Sequence, residues 1–192
     1  GDYFENLISY GITLNKLDQN FQPTDGYLTS FNQTLPIYSD DSTIENSLRM
    51  SKYHSLNDSL ILSAKLYLKT VNSLDDNVRV SKRVYIPSSR LRGFESGGIG
   101  PKDGSQYIGG NYGSATNLNS TLPKLLNGYE NIDFNLFLDA ANVFGVDYDS
   151  SLDSSKLRSS VGFGVDWFTV IGPLNFSIAQ PITKADTDKT ES

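Results

Sequence analysis

The stretch "LRSSVGFGVDWF" (157–168) alternates apolar residues with polar or small ones. The apolar residues are Leu157, Val161, Phe163, Val165 and Trp167. The polar or small residues between them include Arg158, Ser160, Gly162, Gly164 and Asp166. A period of two is typical of a β-strand, because successive side chains point to opposite faces of the sheet. The stretch therefore predicts a strand with one apolar face and one polar face.

The same alternation recurs along the chain. Clear examples are "LILSAKLYLKT" (60–70), "IDFNLFLDAAN" (132–142) and "PLNFSIAQPI" (173–182); weaker ones lie near 3–15, 26–36, 43–55 and 107–122. Together with the opening stretch they predict eight strands, and no segment predicts a helix longer than a turn. The predicted fold class is therefore all-β.

Composition narrows the functional classes. The 192 residues suffice for one sizeable domain, and the 16 basic and 22 acidic residues are scattered, which argues against nucleic-acid binding through bulk charge. The chain has no cysteine, which excludes a disulfide framework or a thiolate metal site. The acidic run Asp147, Asp149 and Asp153 lacks the glycine and distal glutamate of a calcium loop. No catalytic constellation stands out, so neither an enzyme nor a cofactor is expected.

The loops favour a membrane barrel over a soluble sandwich. No stretch approaches 18 consecutive apolar residues, yet barrel strands cross a membrane with apolar side chains at only every second position. Short turns rich in Pro, Gly, Asn and Asp alternate along the chain with longer, more acidic loops, as in outer-membrane barrels. The sequence thus predicts a transmembrane antiparallel β-barrel whose apolar faces point outward and whose polar faces point into the lumen.

The long segment 80–105 contains "RLRGFESGGIGP" (90–101), and Gly109-Gly110-Asn111 follows it. This set resembles the sixth-loop signature of bacterial barrel-assembly factors, the surface-antigen family. The resemblance continues through "FLDAANVF" (137–144), the stretch 157–182 and "DKTES" (188–192). It covers most of 85–192 in order, whereas the earlier part of the chain matches mainly in strand rhythm.

The resemblance implies that residues 1–192 form the C-terminal half of a sixteen-stranded barrel in the bacterial outer membrane. The final strand and the N-terminal periplasmic repeats would be absent from this segment. The family folds and inserts β-barrel proteins without a cofactor or covalent chemistry. Its partners would be outer-membrane lipid, unfolded β-barrel clients and accessory lipoproteins. Two alternatives remain open: a protein-translocation pore of the same superfamily (two-partner secretion or autotransporter assembly), and a passive pore, including a barrel closed by these eight strands alone.

The resemblance also implies a site. The 80–105 loop would fold into the lumen, and its motif is Leu91, Arg92, Gly93 and Phe94. Arg92 would pair with a carboxylate on the barrel wall, for which the match is Asp139. The alternation independently places Asp139 on the polar, inward face.

The sequence departs from the family at the second wall carboxylate, where Asn119 stands. Asp133 and Asp166, which are also inward by alternation, are candidates to supply the missing charge. Breaking a desolvated Arg–carboxylate pair costs about 3–5 kcal/mol, against about 0.2–1 kcal/mol for an exposed pair. The contribution of the Arg92–carboxylate pair to stability therefore depends on how deeply the pair is buried.

Overall fold

A computed structural model of the chain describes residues 4–123, 125, 126 and 128–191. Tyr3 of the first predicted strand, Lys124 and Asn127 of a predicted turn, and Ser192 of the motif series lie outside the described residues. Within them the chain forms ten strands: β1 (Glu5–Leu17), β2 (Gly26–Ser39), β3 (Thr43–Asn57), β4 (Leu60–Ser73), β5 (Lys102–Asp103), β6 (Gln106–Tyr107), β7 (Tyr112–Pro123), β8 (Ile132–Phe144), β9 (Arg158–Thr169) and β10 (Gly172–Thr183).

The other regular elements of the described residues are three single-turn 3₁₀ segments: Val80–Lys82, Ser88–Arg90 and Ser150–Leu152. In the part of the chain that the structure describes, no helix has the length and apolar character needed to cross a membrane.

Eight long strands form one antiparallel sheet in the order β1-β2-β3-β4-β7-β8-β9-β10. The small hairpin β5–β6 belongs to the segment between β4 and β7, residues 74–111, hereafter the motif loop. Among the described residues β1 and β10 each pair with one neighbour and not with each other, so the sheet is open. The alternative of eight strands closing into a barrel by themselves is therefore not what the structure shows. The all-β prediction and its eight strands are confirmed.

One strand begins later than predicted. The alternation extends back to residue 107, but β7 starts at Tyr112. The chain turns at Gly109, which has a φ of 65°, a conformation that side chains with a Cβ rarely adopt. A Cβ at the next residue, Gly110, would lie 2.3 Å from the carbonyl oxygen of Phe144. This close backbone approach ends the motif loop where it meets the end of β8.

The two faces of the sheet differ as predicted for a membrane barrel. One face, hereafter the outer face, exposes large apolar side chains: Leu62, Leu118, Leu136, Phe163, Phe176 and Ile178. The opposite, inner face buries polar side chains, and the register aligns Asn117 of β7 with Asp139 of β8 and Ser160 of β9. A soluble sheet buries its apolar face instead.

The buried apolar core lies between the motif loop and the inner face. The larger cluster joins Tyr67, Ala115, Ala141 and Val143 of the strands with Ile86, Leu91, Phe94 and Ile99 of the loop. A smaller cluster contains Val71, Val78 and Val84. Apolar contact with the loop thus gives the inner face a packed interior, and this packing positions the motif.

Candidate functional site

The motif is seated against the inner face by its two apolar residues. Leu91 and Phe94 are each only 1% exposed. Gly93, which lies between Arg92 and Phe94 in the chain, has a φ of 85°. A Cβ at Gly93 would lie 3.0 Å from the Cβ of Ala179 on β10. Glycine therefore suits this position both for its backbone conformation and for its close approach to β10.

Arg92 forms a bidentate ion pair with Asp139. Its Nε donates to Asp139 Oδ2 at 2.7 Å and its Nη2 donates to Oδ1 at 2.7 Å, while its backbone N–H reaches Oδ2 at 3.2 Å. Asn117 Nδ2 donates to Oδ1 at 2.8 Å. Asp139 is fully buried, so these four donors replace the hydrogen bonds that water would otherwise make to its side chain.

Asn117 and Phe137 make further contacts with the motif loop. Asn117 Nδ2 also donates to the carbonyl oxygen of Arg90 at 2.9 Å, which fixes the backbone just before the motif. The guanidinium carbon of Arg92 lies 3.3 Å from the centroid of the Phe137 ring, a cation–π contact. The motif arginine is thus bonded at its edge and covered on one face.

A polar cavity of about 610 Å³ borders Arg92, with Ser63, Lys65 and Asp166 among its lining residues. The Arg92 side chain is 22% exposed, whereas that of Asp139 is 0% exposed. The pair therefore lies between the buried and exposed limits, with the arginine on the open side and the carboxylate on the closed side.

Of the three other predicted wall partners, the structure brings one to Arg92 and places two elsewhere. Asn119 accepts a hydrogen bond from Arg92 Nη2 at 3.0 Å. Asp133 and Asp166 do not contact Arg92, which corrects their expected role. Asp133 lies six residues before Asp139 on β8, roughly 20 Å away along an extended strand, and Asp166 is its register partner on β9.

Asp133 and Asp166 have partners of their own near the short-turn end of the sheet. Asp133 accepts from Gln22 Nε2 at 3.2 Å, and Asp166 accepts from Asn135 and Asn175 at 3.0 and 2.5 Å. Alternation gave the face of each aspartate correctly, but the face alone does not fix its position along the strand.

Among the described residues, two further arginine–aspartate pairs in which the arginine is buried were not predicted from the sequence. Arg158 on β9 donates from Nε and Nη2 to Asp188 at 2.9 and 3.0 Å, and both side chains are fully buried. Arg83 Nη2 donates to Asp147 at 2.6 Å and joins the motif loop to the loop after β8. The position of Arg158 on the polar face of a predicted strand could have indicated the Arg158–Asp188 pair. No sequence pattern indicated the Arg83–Asp147 pair.

Asp147 also has a perturbed pKa. Burial acts to raise it, but hydrogen bonds from the Asn111 side chain and the Val78 backbone N–H, together with the Arg83 charge, outweigh burial and lower the pKa of Asp147 below its ordinary value. Asp147 is therefore a structural link rather than a free acidic residue on the surface.

The remaining acidic residues of this loop bond within it. Asp149 accepts from Ser151 N at 2.9 Å, and Asp153 accepts from Gly145 N at 2.8 Å. Across the described ranges no group of three or more His, Cys, Asp or Glu side chains is arranged to hold a metal ion. The site brings together an arginine, a carboxylate, amides and an aromatic ring, an arrangement suited to fixing a loop on a wall.

An antiparallel sheet with an apolar outer face and a loop packed on its polar inner face is typical of the wall of an outer-membrane β-barrel. The Omp85 superfamily domain matches residues 1–192, so the chain belongs to the Omp85 superfamily. This membership confirms the predicted outer-membrane location.

Individual proteins similar to this chain are outer-membrane assembly factors. The chain is 29% identical over 194 residues to the outer membrane protein assembly factor BamA of Neorickettsia risticii, covering 97% of this chain and 26% of the relative. It is 25% identical over 225 residues to BamA of Neisseria meningitidis serogroup B, covering 100% of this chain and 28% of the relative. The chain thus spans about a quarter of the length of these curated relatives.

A solved structure of an assembly factor is also similar to this chain. The crystal structure of BamA from Haemophilus ducreyi lacking POTRA domains 1–3 matches with a TM-score of 0.87 and 28% identity, covering 96% of this chain and 40% of that chain. The predicted resemblance to barrel-assembly factors is therefore confirmed, and it corresponds to the C-terminal barrel part of these proteins.

Proposed function

We propose that this chain is the C-terminal barrel part of an outer-membrane protein assembly factor, which folds and inserts β-barrel proteins into the bacterial outer membrane. The observation that carries the proposal is the motif loop seated on the inner face through Arg92 and Asp139, in a chain similar to BamA over almost its whole length. Its clients would be unfolded β-barrel proteins, and accessory lipoproteins would complete the assembly complex.

The proposed mechanism is non-enzymatic. An edge strand presents unpaired backbone N–H and C=O groups, which can template an incoming strand. A sheet used in this way must keep its shape while a neighbouring edge opens. The Arg92–Asp139 pair supports that role, because it ties the motif loop across β7 and β8 through Asn117 and Asp139. The loop would thus brace the wall from the lumen.

The test uses the full-length protein in lipid vesicles. A urea-unfolded β-barrel client is added, and its folding is followed by the heat-resistant shift in gel mobility. The proposal predicts faster client folding than in empty vesicles. Planar-bilayer conductance on the same preparation separates the alternatives. A large, stable open conductance without accelerated folding would instead indicate a translocation or passive pore and would overturn the proposal.

A further inference from the structure

After β10 the chain crosses back over the motif loop. Residues 184–191, hereafter the strap, run beside the motif backbone, and Phe94 and Thr190 form an isolated antiparallel bridge. Three backbone hydrogen bonds join the segments: Glu95 N to Lys189 O (3.1 Å), Lys189 N to Gly98 O (2.9 Å) and Glu191 N to Gly93 O (3.1 Å). The Tyr107 hydroxyl also donates to the carbonyl oxygen of Thr187. The strap therefore pairs along the backbone of residues 93–98 of the motif loop.

One side chain anchors the strap to the wall. Asp188 accepts both hydrogen bonds of the Arg158 fork, and neither side chain is exposed. Asp188 Oδ2 also accepts from the backbone N–H of Ala185 at 2.6 Å, which shapes the strap. Arg158 Nη1 donates to Asn142 and to the carbonyl oxygen of Lys156. The arginine thus has partners on β8, on the preceding loop and on the strap.

The anchor lies beside the motif seat. On β8, Asp139 is the register partner of Ser160, and Ala141 is the partner of Arg158. Successive inner-face positions along a strand are two residues apart, roughly 7 Å. The two arginine–aspartate pairs therefore occupy neighbouring rows of one wall, and the strap connects them through its backbone hydrogen bonds to the motif loop.

We infer that Arg158 and Asp188 are a positioning pair, which holds the strap over the motif loop and so keeps Arg92 seated on Asp139. Because the strap directly follows β10, the seating of the motif is coupled to the position of that strand. Movement of β10 would pull the strap, and a loosened strap would uncover the motif. This coupling rests on the contacts alone and does not require the proposed assembly activity.

The experiment measures backbone hydrogen exchange in the full-length protein in lipid nanodiscs. Asp188→Asn removes the charge that faces the buried Arg158. We expect exchange in residues 86–99 to accelerate at least tenfold, while residues 78–84, held by the separate valine cluster and the Arg83–Asp147 link, stay protected. Asp186→Asn, at a neighbouring exposed strap position, is the matched control and should change neither region.

A disulfide supplies the readout that a general loss of stability would not move. A Cβ at Gly98 would lie 3.0 Å from the Cβ of Lys189, and a separation of the two positions by about 0.5–0.8 Å reaches disulfide geometry. In the Asp188→Asn background, the Gly98→Cys/Lys189→Cys pair should restore protection of 86–99 when oxidised and lose it when reduced.

Three results would overturn the inference. The first is unchanged exchange in residues 86–99 of the Asp188→Asn variant. The second is an equal acceleration in both regions, which would indicate general unfolding. The third is failure of the oxidised disulfide to restore protection, including failure of that variant to fold.

Discussion

The Arg92–Asp139 pair should respond unequally to the loss of each partner. Arg92→Met leaves the fully buried Asp139 carboxylate with one side-chain donor, Asn117, and the backbone N–H of residue 92. Asp139→Asn leaves the Arg92 guanidinium, which already borders a polar cavity and is 22% exposed. Water can solvate the stranded arginine but cannot reach the stranded carboxylate.

The magnitudes follow from that difference. An uncompensated buried charge costs about 3–5 kcal/mol, so Arg92→Met should favour release of the motif loop by that amount. Loss of hydrogen bonds to a group that can rehydrate costs about 1–3 kcal/mol, which we assign to Asp139→Asn. At about 1.4 kcal/mol per factor of ten, loop opening should rise about 140- to 4,000-fold in Arg92→Met and about 5- to 140-fold in Asp139→Asn. The double variant should cost less than the sum of the two.

Thiol labelling measures loop opening. Ile99→Cys, at a position 2% exposed in the same cluster as Leu91 and Phe94, reports release of the loop in full-length protein otherwise free of cysteine. The expected order of labelling rates is Arg92→Met, then Asp139→Asn, then the parent. Labelling that is faster in Asp139→Asn than in Arg92→Met, or equal to the parent in both, would refute the assignment of buried and open sides.

Three other outcomes are expected. Gly162→Ala should lower the stability of the folded barrel to urea more than Gly164→Ala, because a Cβ at Gly162 meets a backbone carbonyl oxygen at 2.3 Å whereas at Gly164 it meets only a movable amide side chain; equal midpoints would contradict this. Asp147 has a lowered pKa, so its stabilisation is complete above its unfolded pKa of about 3.9 and is lost as the pH falls through the lower folded value. The protection of residues 78–84 from backbone exchange, corrected for the intrinsic pH dependence of amide exchange, should then fall on acidification in the parent and be low already at neutral pH in the Asp147→Asn variant; a parallel pH dependence of protection in both would contradict it. Leu68→Arg, on the outer face near the middle of β4, should cost about 2–4 kcal/mol in bilayers, whereas Ser63→Arg, which faces the cavity, should cost far less; similar urea midpoints would contradict the orientation of the faces.

Much of the fold follows from side-chain alternation. A period of two fixes which face each residue occupies, so Asp139, Asn117 and Asp166 could all be placed inward before any register was known. Register along the strand is a different quantity, set by turns and loop packing. That is why Asp133 and Asp166 were expected near Arg92 and lie about six residues further along.

The links between loops were harder to predict. Arg83–Asp147 joins residues 64 positions apart, and neither stretch has a period that points to the other. The strap is similar: Asp188 lies in a polar segment whose alternation predicts nothing, and only the folded motif loop gives it a surface to cover. Loops acquire their positions from tertiary contact rather than from local propensity.

The most direct test asks whether client folding depends on the Arg92–Asp139 pair that holds the motif loop on the inner face. Client folding is timed in vesicles that contain the parent full-length protein or its Arg92→Met variant, with equal amounts of folded protein confirmed by heat-modified gel mobility. We predict that the parent accelerates client folding and that the variant, with its loop released, loses most of that acceleration. Full acceleration by a variant whose loop is demonstrably released by thiol labelling would contradict the claim that the seated motif loop supports assembly.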